Sequence, residues 1–84
     1  MSEVFIPVEV QSEGVFPSER IAWWRVNGKH YETIVDQRDI DGDKLRVGVL
    51  EVNGDDVLIQ LPRECFASGT RLIVPRSFLI VEDS

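Results

Sequence analysis

The sequence predicts an all-β domain, a small antiparallel meander closing into a partly open barrel of roughly five to seven short strands. Three observations predict it. Two stretches are built alike, RIAWWRVNGKHYETIV from Arg20 to Val35 and RVGVLEVNGDDVLIQL from Arg46 to Leu61. Each carries Asn-Gly, two residues that tolerate the positive φ of a type I′ turn, between runs of β-branched and aromatic residues. A further strong turn signal, Asp41-Gly42, separates them, and strands joined in succession by tight turns argue for a meander.

In chain order, Val4 to Val10 alternates weakly around Pro7, which cannot donate to a ladder, so an edge or bulged strand is expected there. Gln11 to Ser18, with Gly14 and Pro17, is a loop. Arg20 to Val26 and Lys29 to Val35 form the first hairpin about Asn27-Gly28. The polar stretch DQRDIDGDK, Asp36 to Lys44, turns the chain. Leu45 to Val52 and Val57 to Leu61 form the second hairpin about Asn53-Gly54, offset from the first by 53 − 27 = 26 residues. After Pro62, the link RECFASG is either helical or loop, and Arg71 to Val74 and Phe78 to Val81 are strands separated by Pro75-Arg76-Ser77.

Eighty-four residues make one small domain, spanning residues 1–84. The single cysteine, Cys65, excludes an intramolecular disulfide and fits a reducing compartment, so a cytoplasmic location is expected. The start, MSEVFIPVEVQSEG, lacks the basic and apolar regions of a signal peptide, and no stretch is long and apolar enough to span a bilayer, so no membrane partner is expected. A net charge of −6 with scattered Arg and Lys disfavours direct nucleic-acid binding.

Alternation and two-residue turns assign the faces. Ala22, Trp24, Val26 and Tyr31, with Gly48, Leu50, Val52, Val57, Ile59 and Leu61, form an almost wholly apolar set and are assigned to the core. The opposite face holds Ile21, Trp23, Arg25, His30, Glu32 and Ile34 in one hairpin and Val47, Val49, Glu51, Asp56, Leu58 and Gln60 in the other. Its centre is apolar, which a solvated face is not. Either the terminal strands curl over it or another subunit or partner covers it.

The candidate binding residues are on that face: Trp23, Arg25, His30, Glu32, Ile21, Val49 and Leu58. Trp23 is expected opposite Glu32, and Arg25 opposite His30. A tryptophan beside an arginine has the composition of an interface hot spot or a stacking platform; packing across the hairpin with solvated tips accounts for the same residues. His30 is the sole histidine, placed near a hairpin tip, and Cys65 sits in the distant RECFASG link, so no nucleophile accompanies it and no catalytic residue is assigned. Asp39, Asp41 and Asp43 alternate as in a calcium loop, but the glycine is fourth and Leu50 occupies the twelfth place, where that loop needs glycine sixth and glutamate twelfth. With one Cys and one His, zinc is equally unsupported, and no cofactor is implied.

The run Ile73-Val74-Pro75-Arg76-Ser77-Phe78-Leu79-Ile80-Val81 resembles the penultimate strand, 3₁₀ turn and last strand of Src-homology-3-like barrels. The resemblance implies that architecture at this end; the proline-binding aromatics of the family have no counterparts by which to carry over a site. Val15-Phe16-Pro17-Ser18 is similar to the start of the barrel in plasmid-borne type II dihydrofolate reductases, but Val57-Leu58-Ile59-Gln60 stands where that family has Val-Gln-Ile-Tyr, and no site residue transfers.

The sequence thus points to a non-catalytic protein-interaction or self-assembly module, with a protein partner or a second copy of itself as a homo-oligomer. The alternatives are a small-molecule binder or simple enzyme with its site at a homo-oligomer interface, and an acidic decoy that blocks a nucleic-acid-binding protein.

Overall fold

The computed structural model describes residues 2–11, 16–65 and 69–83. It is all-β, with strands β1 (Ser2–Pro7), β2 (Glu9–Gln11), β3 (Glu19–Val26), β4 (Lys29–Asp36), β5 (Ile40–Asp41), β6 (Lys44–Asn53), β7 (Asp56–Cys65), β8 (Gly69–Pro75) and β9 (Ile80–Asp83). Two 3₁₀ turns, Gln37–Asp39 and Arg76–Phe78, interrupt them. The nine described strands exceed the five to seven expected because Pro7 divides the first and because β5 is only two residues long. The strand, 3₁₀ turn and strand expected from Ile73 to Val81 are present. β7 runs to Cys65 and β8 begins at Gly69, so most of the link left open between them is extended; residues 66–68 lie outside the described set, as do residues 12–15 of the Gln11–Ser18 loop.

All pairings are antiparallel, in the order β2-β3-β4-β7-β6-β1-β9, with β5 added to β6 and β8 added to β7. β6 belongs to two sheets: Lys44–Val47 pairs with β1, and Gly48–Asn53 pairs with β7. Pro7 marks another crossing. The β1–β6 ladder ends at Pro7↔Lys44, Val8 donates its N–H to the Asp43 carbonyl at 2.9 Å, and the chain then joins β3 as β2. β1 also pairs with β9 from Ser2↔Asp83 to Phe5↔Ile80. Among the described residues no ladder joins β2 or β8 to β9, so neither sheet closes on itself.

The core between the sheets is Ile6, Ala22, Trp24, Tyr31, Val35, Leu45, Val47, Ile59, Leu61 and their neighbours. Each of the larger side chains among them contributes about 1.5–3 kcal/mol of burial free energy, which fixes the strand faces. In the first hairpin the register is the one expected: Asn27 (φ 54°) and Gly28 (φ 76°) make the turn, Trp24 stands opposite Tyr31, and Ala22 opposite Thr33.

The second hairpin differs from its expected register. Its turn is Gly54-Asp55, not Asn53-Gly54: Asn53 pairs with Asp56, and of the turn residues only Gly54 (φ 63°) has positive φ. The first hairpin needs two residues tolerant of positive φ, the second one. A bulge at Leu50 then shifts the ladder between Val49 and Glu51. Since one extra residue exchanges the faces of a strand across the bulge, Leu45 and Val47 are the buried residues of β6 and Gly48, assigned above to the core, is exposed. Leu50 and Val52, also assigned above to the core, are exposed too, Val52 although it stands opposite buried Val57. Val57, Ile59 and Leu61 on the partner strand are buried as expected.

One buried side chain points away from this core. Ile6 and Val8 face inward, so Phe5 faces outward, yet it is only 1% exposed. Lys44 and Arg46 lie over its ring, with Nζ 5.0 Å and Cζ 5.7 Å from the centroid. Their charges are held by Glu82, Asp41 and Glu3. The hydrogen bond to Glu82 holds the Lys44 ammonium above its ordinary pKa.

Candidate functional site

Because Ala22, Trp24 and Val26 are buried, alternation turns Ile21, Trp23 and Arg25 to the outer face of β3. The cross-strand partners are those expected: Trp23 opposite Glu32, Arg25 opposite His30 and Ile21 opposite Ile34. On its other side β3 pairs with β2, which sets Glu9 beside Trp23 and Gln11 beside Ile21. Trp23 is therefore flanked by two carboxylate residues. His30, on the diagonal, stacks on the indole with ring centroids 5.3 Å apart at 30°, and its Nε2 lies 4.0 Å from Glu32 Oε1. Both His30 and Glu32 are about half exposed.

The terminal strands do not curl over this face. β1 and β9 pair with β6 and with each other, and β2 extends the sheet at its edge. Nor do Val49 and Leu58 join Trp23, as the expected register of β6 had them do. Among the described residues the β4–β7 ladder pairs Thr33 with Cys65 alone, at the far end of β7 from Leu58. Leu58 lies between Glu51 and Ile73 on the outer side of the β6–β7–β8 ladder, while Val49 stands opposite buried Ile59, on the other side. The same pairing corrects the placement of Cys65: its backbone is hydrogen-bonded to the first hairpin rather than distant from it.

What Trp23 and Arg25 do share is an open cleft of about 320 Å³ with Pro7, Val8, Trp24 and Phe78. The end of β1, strand β3 and the second 3₁₀ turn meet there. Its walls are aromatic and aliphatic, with the carboxylate residues Glu9 and Asp43 as polar lining besides Arg25. Trp24 is 2% exposed, and its Nε1 has no hydrogen-bond partner among the described residues. Sequence reasoning missed this cleft because it joins residues from Pro7 to Phe78; the available signals were the break at Pro7 and the strand break at Pro75-Arg76-Ser77.

Asp36 caps the first 3₁₀ turn, accepting from Arg38 N at 2.9 Å, and this bond, with the Arg38 guanidinium, holds its carboxyl below the usual range. The described residues include no helix long and apolar enough to cross a membrane. No protein-family model, curated protein or solved structure matches the chain.

Proposed function

We propose that this domain is a non-catalytic protein-interaction module that seats an extended segment of a partner protein in the cleft beside Trp23 and Arg25. The observation that carries the reading is that cleft: Trp23, Trp24, Phe78 and Pro7 supply an open, largely apolar lining, with an arginine and two carboxylate residues beside it. Tryptophan and arginine are among the side chains that dominate interface energetics, and aromatic-lined grooves are a recurring seat for extended peptide segments. Catalysis calls for a nucleophile or acid–base pair enclosed from water. His30 and Glu32 are instead half exposed on the outer face of the hairpin.

The test is selection of extended peptides from a displayed library, followed by NMR titration of the selected binders. Binders should move the Trp23 indole and Arg25 guanidinium resonances, and Trp23→Ala should weaken binding by about tenfold or more while the domain stays folded. Binders that leave both resonances in place, or that bind folded Trp23→Ala equally well, overturn the reading.

A further inference from the structure

A different surface carries a second reading. β8 is hydrogen-bonded to β7 alone among the described residues, so its other edge presents unpaired backbone. Edge strands are commonly blunted by a bulge or a proline. β6 has a bulge at Leu50, but β8 pairs without a shift from Arg71 to Pro75, with a proline only at its end. Beside this edge Ile73 is 60% exposed. It stands opposite half-buried Leu58, and the row opens into a cleft of about 570 Å³ that also reaches Asn27 and Lys29 at the tip of the first hairpin.

We propose that two copies of this chain join edge to edge through β8, antiparallel about a two-fold axis at Ile73, with each Arg71 meeting the partner's Asp56. Side-chain alternation restricts the register. Leu72 and Val74 are buried, so the joined strands must keep odd-numbered residues together on the outer face. Centring on Ile73 or on Leu72 satisfies this, and a slip between the two mixes buried with exposed residues.

Charge chooses between them. Asp56 and Arg71 are exposed on the same outer face but at opposite ends of the β7–β8 ladder, Asp56 opposite Pro75 and Arg71 opposite Gln60. Neither has an ion-pair partner among the described residues. Centring on Ile73 sets Arg71 opposite the partner's Pro75, one strand from the partner's Asp56. Two strand spacings are about 10 Å, which an extended arginine and an aspartate span together, and the symmetry makes the contact twice. Centring on Leu72 sets Arg71 opposite the partner's Ile73 and leaves both aspartates unpaired. The cross-chain pair gives two otherwise unpartnered charges a role and specifies the register.

Sedimentation velocity at tens of micromolar tests this. The wild type is expected at twice the chain mass. Arg71→Glu and Asp56→Arg each put like charges across the axis and should weaken the dimer by about tenfold or more. Mixing the two single variants pairs opposite charges at both contacts, so association returns in the mixture without any doubly substituted chain. Ile73→Lys should leave monomer. Circular dichroism melts establish that each variant is folded, and if one is not, Arg71→Gln and Asp56→Asn provide milder losses of the same contact. A monomeric wild type, a dimer indifferent to Ile73→Lys, or single variants that fail to recover on mixing overturns the proposal.

Discussion

His30 lies diagonally across the first hairpin from Trp23, its ring 5.3 Å from the indole and tilted by 30°. Neighbouring Trp24 faces the opposite way and stacks on Tyr31 at 5.8 Å and 19°. Adjacent tryptophans on one strand thus serve two surfaces. One pair is half exposed and linked to a carboxylate, and the other is sealed in the core.

This difference separates the two side chains energetically. Trp23→Ala removes a stacked pair worth about 0.5–1.5 kcal/mol beyond area burial, and a loss near 1 kcal/mol lowers the melting temperature by about 4–8 °C in a domain of this size. Trp24→Ala empties a core site and costs about 3–5 kcal/mol. Thermal melts should show the first variant folded and the second largely unfolded; equal losses contradict the face assignment.

The turns are distinguished by substitution too. Asn27 has φ 54°, whereas Asn53 lies in the strand and has no positive φ. Asn27→Ala should therefore cost about 1–2 kcal/mol, while Asn53→Ala should stay within about 0.5 kcal/mol of the wild type. Urea titration of both variants reads the difference.

Phe5 behaves as a core residue although it faces outward. Phe5→Ala should cost about 3–5 kcal/mol, as for other buried aromatics. Lys44→Ala should lower stability as well, by uncovering the ring and leaving Glu82 without its partner. An unchanged denaturation midpoint for Lys44→Ala would show that the covering adds nothing.

Acid dependence follows from Asp36. Its carboxyl is held below the usual range by the Arg38 N–H and guanidinium, so it favours the folded state above the unfolded pKa. That contribution is lost as pH falls below about 4 and through the depressed value. Stability measured against pH should therefore drop less steeply in that window for Asp36→Asn, and an identical slope would remove the cap from the account.

Much of the fold could be read directly from local chemistry. Asn27-Gly28 specifies a turn in which both residues take positive φ, and the register of β3 against β4 follows from it. Asn53-Gly54 offers the same dipeptide, yet there the chain uses glycine alone as the first turn residue and absorbs the offset in a bulge. The bulge at Leu50, and not the turn, is what brings Leu45 and Val47 to the buried side, and no dipeptide reports it. The candidate site divides in the same way. Trp23, Arg25, His30 and Glu32 are close in sequence and came together as expected, whereas Val49 and Leu58 depended on the bulge in β6 and on where β4 meets β7, and did not. The cleft wall contributed by Pro7 and Phe78 depends on long-range pairing.

The ladder between β1 and β9 sets an order on folding. Ser2 stands opposite Asp83 and Phe5 opposite Ile80, while the β3–β4 and β6–β7 hairpins close over only a few residues. Loop-closure entropy grows with chain separation, so the hairpins are the inexpensive early events and the β1–β9 ladder the late one. On a ribosome, β1 emerges first and must stay without its β9 neighbour until nearly all of these residues have been made. Its exposed backbone edge during that interval is the point at which a chaperone, or a neighbouring nascent chain, would find this domain most receptive.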